Sequence, residues 1–140
     1  MRYKELYQNW RNDPQKFWAD QAQRLHWQTA PEKIFEHNES GDRWYVGGVM
    51  NTCFNCVDRH VEAGHGARIA FIHDSPMTGT KSQISYAELL DRVQCVATMM
   101  QDKGIEKGDR VIIYMPMIVE TAIAALACAR LGAIHSIVFG

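Results

Sequence analysis

The stretch from residue 110 to residue 139 constrains the fold of this chain more than any other feature. It contains two apolar runs, Arg110–Met115 and Ala133–Phe139, on either side of Met117–Leu131, where almost every residue is apolar or small. A short apolar run is typical of a buried strand, and a longer one that ends at a glycine, here Gly132, is typical of a buried helix. The order of these segments predicts a βαβ unit with parallel strands.

This unit predicts a larger sheet than the chain supplies. Parallel sheets are covered by helices on both faces and usually contain roughly four or more strands. We therefore expect Arg110–Met115 to be buried on both faces, within a sheet that is incomplete in this chain. The fold class is α/β, and the chain is interpreted as the front part of a larger protein.

A hairpin and a helix precede the βαβ unit. Arg68–His73 is predicted as a strand and Ser82–Ile84 as its return strand. Ser85 and Glu88 then have the spacing of a capping box, which begins a helix that Gly104 ends. Seven apolar residues follow the helical period: Tyr86, Leu89, Leu90, Val93, Val96, Ala97 and Met100.

Residues 1–66 are predicted to form a helical and extended N-terminal region, and residues 67–140 to begin the main domain. Asp13–Leu25 has a capping residue, a proline at the first helical position and an amphipathic pattern, so we predict a helix there. His26–Val46 is aromatic without a sustained period and is predicted to be extended. A further helix is predicted over residues 51–66.

Composition argues against two classes of partner. A formal net charge of −1 and a pI near 6.6 give no basic surface for nucleic acid or an anionic membrane. The polar start, Met1–Tyr7, lacks the apolar core of a secretory signal, and no apolar run reaches the roughly 18 residues of a membrane span. Four scattered cysteines do not make a disulfide framework, so we expect a cytoplasmic protein.

The sequence carries no strong catalytic or metal-binding motif. Cys53 and Cys56 have the spacing of a zinc half-site or a redox pair, but two neighbours on the apolar face of a helix have it too, and we favour that interpretation. The Gly, Thr and Lys of Ser75–Lys81 faintly resemble a phosphate loop without its full pattern, so a solvent-exposed hairpin loop is expected. His135 is expected to be a core or sheet-edge residue rather than a base. No catalytic residue and no metal ligand is therefore predicted.

The most suggestive position is the carboxyl edge of the predicted parallel strands. Ligands of open α/β sheets bind beyond this edge. Tyr114–Pro116 and Phe139–Gly140 both lie there, which makes them candidate pocket walls.

Several segments together resemble one enzyme family. Gly108–Met117 and Leu126–Gly140 look like the start of the adenylate-forming domain of short-chain acyl-CoA synthetases. Trp44–Asn51, Asn55–His60 and Asp13–Trp18 resemble the N-terminal region of the same enzymes. The resemblance covers essentially the whole chain.

The resemblance implies a ligase that uses ATP, CoA and Mg²⁺ and acts on a small carboxylate such as propionate or acetate. Asp74–Lys81 is more similar to propionyl-CoA synthetases than to acetyl-CoA synthetases. The family's phosphate loop, hinge, catalytic lysine and acyl pocket lie beyond residue 140, so the chain is expected to be inactive alone. Phe139 and Gly140 match the start of a stretch along the CoA nucleotide path, and they are the only ligand-binding residues predicted.

An alternative from another functional class stays open. The chain could act as a stand-alone interaction module that buries its exposed strand edge against itself or against a partner. In this case self-association is expected.

Overall fold

A computed structural model describes residues 2–139. The chain divides into two compact units, residues 1–50 and residues 51–140. The boundary expected between residues 66 and 67 stays a prediction, because a compact unit is not by itself a functional domain. None of the helices in the described part has the length and apolar character that a membrane crossing requires.

The first unit contains two helices and a hairpin: α1 (Tyr3–Asn12), α2 (Pro14–Ala22), β1 (Lys33–Asn38) and β2 (Gly41–Val46). The Asp13 carboxylate caps α2 by accepting a hydrogen bond from the Lys16 backbone N–H at 2.9 Å, as expected. The helix ends at Ala22, before the predicted Leu25. Helix α1 was not predicted from the sequence. None of its residues is buried, but Tyr3, Leu6, Tyr7 and Trp10 follow the helical spacing i, i+3, i+4, i+7, so the sequence signal was present and was overlooked.

The aromatic segment that was expected to be extended forms the antiparallel pair β1–β2. Phe35 lies opposite Trp44, with ring centroids 4.8 Å apart, and Trp18 meets Trp44 edge-on. The burial of β1 does not alternate from residue to residue, and Tyr45 in β2 has a positive φ of 52°. These irregularities explain why no strand period was visible in the sequence.

The second unit begins with two π-helical segments and continues as alternating strands and helices. The π-helical segments are Phe54–Asp58 and Val61–His65, and the other elements are β3 (Ile69–Ser75), β4 (Thr80–Ser85), α3 (Tyr86–Asp102), β5 (Arg110–Met115), α4 (Val119–Leu131) and β6 (Ile134–Phe139). Strands β3 and β4 are antiparallel, whereas β5 and β6 are parallel. The α/β class, the hairpin, the βαβ unit and the incomplete sheet are therefore confirmed.

Both main helices agree with their sequence signals. The Ser85 backbone N–H donates to Glu88 Oε2 at 2.8 Å, and the Glu88 N–H donates to Ser85 Oγ, which completes the capping box. In α4, every residue except Glu120 is buried or half-buried. Gly104 and Gly132 follow α3 and α4 with φ of 85° and 76°, the left-handed conformation that ends a helix.

The prediction that β5 is buried on both faces is wrong for this chain. Ile113 is 4 % exposed, because its face packs against the helices, whereas Ile112 and Tyr114 on the other face are 73 % and 71 % exposed. Successive side chains of a strand point to opposite faces, and the described residues supply a helical layer on only one of them. The apolar pattern of β5 is that of a strand with two covered faces, and one cover is missing.

Candidate functional site

The parallel pair brings two strand ends to one edge. Strands β5 and β6 pair in register from Arg110 opposite Ile134 to Met115 opposite Phe139. Both carboxyl ends therefore lie at the edge where α/β folds bind ligands. The backbone of Phe139 has the predicted position at this edge, and Gly140 lies outside the described residues. The predicted roles of Phe139 and Gly140 in ligand binding stay predictions.

The turn from β5 into α4 lies at the same edge. The Thr121 hydroxyl is buried and donates to the Pro116 carbonyl at 2.7 Å, which fixes the chain as it leaves the strand. Ile118 is the N-cap residue of α4 and makes no side-chain capping bond. The first helical turn therefore begins without a polar cap, and its acidic residue is the exposed Glu120.

The described side chains at this edge are mainly apolar. Tyr114 and Met117 are exposed, and Met115 is half-buried between them. Such groups can pack against a flat or aliphatic part of a ligand, but they supply no nucleophile and no strong acid or base at neutral pH. These described side chains have the chemistry of a binding wall.

A second constellation lies away from this edge and was missed by the sequence reasoning. The Arg130 guanidinium, near the end of α4, donates from Nη2 to both carboxylate oxygens of Asp58, each at 2.7 Å. Both side chains are largely buried, at 24 % and 13 % exposure. The buried Cys53 thiol is next to them, and burial raises its pKa even though the Arg130 charge acts to lower it.

Asn51 joins the same region from the start of the helical segment. Its Nδ2 donates to the carbonyls of Ala129 and Arg130, at 3.3 and 3.0 Å, and its Oδ1 accepts from the Phe54 backbone N–H. The Asn51 side chain thus caps the start of the helical segment. The same side chain also donates to two carbonyls at the end of α4, and the Ala129 carbonyl accepts from the Gly132 N–H as well.

The structure separates the two cysteines that the sequence placed together. Cys53 is fully buried, whereas Cys56 is exposed, so the prediction that both lie on the apolar face is wrong for Cys56. The π-helical turn explains the difference, because its wider spacing places Val57, four residues on, in the core beside Cys53. Within residues 2–139, no group of three or more His, Cys, Asp or Glu side chains is arranged to hold a metal ion.

The loop that faintly resembles a phosphate site is the exposed turn of the β3–β4 hairpin, as expected. The Lys81 ammonium lies 2.6 Å from Asp74 Oδ2, with both side chains mostly in solvent. The lysine is thereby engaged by a carboxylate across the hairpin.

Comparison with known proteins gives two contiguous family matches. Residues 3–56 match the acetyl-coenzyme A synthetase N-terminus, and residues 57–140 match the AMP-binding enzyme family. The chain belongs to the AMP-binding enzyme family. This assignment confirms the resemblance found in the sequence, and it agrees with the α/β architecture of the second unit.

Individual members of the AMP-binding enzyme family are similar over almost all of the chain. Acetyl-coenzyme A synthetase of Streptomyces coelicolor is 49% identical over 137 residues, which is 97% of this chain and 21% of that protein. Human acyl-CoA synthetase short-chain family member 3, mitochondrial, is 47% identical over 129 residues, which is 91% of this chain and 19% of that protein. The chain therefore spans about a fifth of the length of the curated relatives it matches.

Proposed function

We propose that this chain is the N-terminal part of an ATP-dependent short-chain carboxylate–CoA ligase that acts in the cytoplasm. The observation that carries the proposal is the unbroken succession of the two family matches, residues 3–56 and then residues 57–140. Relatives named as acetyl-CoA and short-chain acyl-CoA synthetases have the same two regions in one stretch. In this proposal residues 67–140 begin the adenylate-forming domain, and residues 1–66 are its N-terminal region.

The proposed reaction has two steps. A small carboxylate attacks ATP, so that an acyl–phosphate bond forms and pyrophosphate leaves. The CoA thiol then attacks the acyl carbon, the thioester bond forms, and AMP leaves. Mg²⁺ would offset the phosphate charge in the first step. None of the described residues is assigned a part in bond making, and the groups that do this work are proposed to lie outside the chain.

Within this reaction we assign Phe139 and Gly140 to the path of the CoA nucleotide. The place of Phe139 at the carboxyl end of β6, beside an edge of exposed apolar side chains, supports a contact with a flat ring system. Propionate is the proposed substrate because of Asp74–Lys81, with acetate as the alternative. The segment is an exposed hairpin turn, so its bearing on acyl choice comes from resemblance alone.

A chimera tests the proposed function. In the Streptomyces coelicolor acetyl-coenzyme A synthetase, the matched fifth is replaced by this chain, and AMP release is measured with carboxylate, ATP and CoA. We expect CoA-dependent AMP release from the chimera and none from the isolated chain. Turnover by the isolated chain, or a folded chimera without activity, contradicts the proposal. Because the acyl pocket of the chimera belongs to the host enzyme, exchanging residues 74–81 alone tests whether this segment changes the ratio of propionate to acetate turnover.

The second candidate function is an interaction module, and the exposed sheet face favours it. Ile112, Tyr114, Ile134 and Val138 lie on the same face of the β5–β6 pair, and all four are exposed. An apolar sheet face of this kind tends to associate. Size-exclusion chromatography with light scattering separates the two functions. A discrete dimer that Tyr114→Lys disrupts supports the module, and a monomer contradicts it.

A further inference from the structure

We propose that Asp58 and Arg130 form a positioning pair, which sets where β6 begins and thereby where its carboxyl end meets CoA. The inference rests on the proposed function, since the proposed CoA path is what gives the end of β6 a role. Neither side chain is at the carboxyl edge, so the pair acts through the strand and is not catalytic.

The geometry of the pair restricts movement. One nitrogen of Arg130 is held by both oxygens of Asp58 at 2.7 Å, across 72 positions of sequence. Both side chains are largely buried, so that removal of one partner leaves the other charge poorly solvated. Asn51 adds two hydrogen bonds to the backbone carbonyls at the same helix end. The end of α4 is therefore fixed by side chains from a distant segment.

Only a few residues separate this anchor from the strand. Gly132 turns the chain with a φ of 76°, and a Cβ there would come within 3.0 Å of Lys107 Cγ. The Ala133 N–H then donates to the Cys128 carbonyl at 2.9 Å, and the Ile134 N–H donates to the Asp109 carbonyl at 2.7 Å. Each residue of this junction is bonded or sterically confined. A displacement of α4 at Arg130 is therefore passed on to the first residue of β6.

The strand carries that displacement to its other end. Strand β6 rises roughly 3.3 Å per residue, so its two ends are roughly 17 Å apart. Its outer face, with Ile134 and Val138 exposed, has no second layer among the described residues that could correct its position. Misplacement by about 1 Å can lower a rate by about a hundredfold. The anchored amino end of β6 is thus able to set the position of its carboxyl end.

The two half-reactions distinguish positioning from a general effect on folding. Exchange of pyrophosphate into ATP reports carboxylate activation without CoA, and thioester formation reports the CoA step. In the chimera, Arg130→Met should raise the KM for CoA between about tenfold and a hundredfold while pyrophosphate exchange stays unchanged. Asp58→Asn keeps the shape of the side chain and should also raise the KM for CoA. It replaces Arg130→Met in the test if that variant fails to fold. The double variant should cost no more than the worse single one.

The control is the Lys33–Glu36 ion pair of β1. Lys33→Met removes an ammonium group that lies 2.6 Å from Glu36 Oε1 and is mostly in solvent. It should leave both half-reactions unchanged. If the Asp58 and Arg130 variants lower both half-reactions equally, or neither, the positioning role is overturned.

A measurement on the 140-residue chain separates this inference from the proposed function. In hydrogen exchange, Arg130→Met should accelerate the amides of β6 more strongly than those of the β3–β4 hairpin, whatever the enzyme catalyses. Uniform acceleration, or none, overturns the positioning pair. If Arg130→Met shows this selective acceleration but the chimera of the unmodified chain is inactive, the proposed function and the CoA role are overturned. Only the anchoring of β6 is then retained.

Discussion

The two ends of the β5–β6 pair are built differently. At the amino end of β6, Asn51, Asp58 and Arg130 hold the preceding helix by hydrogen bonds and a buried ion pair. At the carboxyl end, the described side chains are mainly exposed and apolar, and the Pro116 carbonyl accepts from the Thr121 hydroxyl and the Ile118 N–H within the turn itself. The contrast teaches that the side-chain hydrogen bonds and the ion pair that hold this region lie at the end of the strand pair where no ligand is expected.

Loss of the ion pair should produce the largest effect on stability. Arg130→Met leaves the largely buried Asp58 carboxylate without its partner, and the free energy of unfolding should fall by about 3 to 5 kcal/mol. Urea denaturation measures the change. Replacing both residues, with Asp58→Leu and Arg130→Met, should recover much of it, because the unpaired charge is then gone. A double variant as unstable as the single one would show that packing, rather than charge, anchors this end.

Substitutions on the two faces of β5 should lower the free energy of unfolding by different amounts, and both losses should be smaller than that of Arg130→Met. Ile113→Ala opens a cavity in the core and should cost about 2 to 4 kcal/mol. Ile112→Ala, one residue away on the exposed face, should cost less than about 1 kcal/mol. Thermal unfolding of both variants gives the comparison. Equal losses would mean that the second face is covered in solution, which is also what a dimer through this face predicts.

At the open end, the Thr121 hydroxyl offers a milder test. Thr121→Val keeps the shape but removes the donor to the Pro116 carbonyl, and it should cost about 1 to 2 kcal/mol. Thr98→Val is the matched control, because the Thr98 hydroxyl donates to the Gln94 carbonyl on an exposed part of α3. That variant should be close to neutral. A large loss of stability in Thr98→Val, or none in Thr121→Val, would contradict the role of the Thr121 hydroxyl in holding the turn.

The smallest expected effect is on the pH dependence of stability. It comes from Glu88 at the start of α3, away from both ends of the β5–β6 pair. Hydrogen bonds from the Ser85 backbone and hydroxyl lower the pKa of Glu88 from its ordinary value of 4.5. A lowered folded-state pKa means that the stabilisation is present above 4.5 and is lost as the pH falls through the folded-state pKa. Glu88→Gln should therefore show a flatter dependence of Tm on pH in the acid range. Identical pH profiles for both proteins would refute the role of the charge.

What the sequence could predict depended on how local each signal was. The βαβ unit and the Ser85 capping box are encoded in neighbouring residues, and both were predicted correctly. The Asp58–Arg130 pair was missed because its members are 72 positions apart and neither stands in a motif. Cys56 was placed on the wrong face because the sequence pattern assumed an α-helical rather than a π-helical turn.

The candidate site was predicted by a different route. Spacing and strand order indicated the carboxyl edge, and the structure places the ends of β5 and β6 together there. The assignment of Phe139 and Gly140 to CoA came from resemblance and stays a prediction. No physical signal in the chain could replace it, because the described part of the edge holds no charged pocket or catalytic group from which a ligand could be deduced.

Hydrogen exchange of the unmodified chain tests the contrast between the two ends most directly. The amides of Ala133 and Ile134, which donate to the Cys128 and Asp109 carbonyls, should exchange far more slowly than that of Met117 at the open edge. Equal protection at both ends, or greater protection at Met117, would contradict the claim that the amino end of β6 is the anchored one.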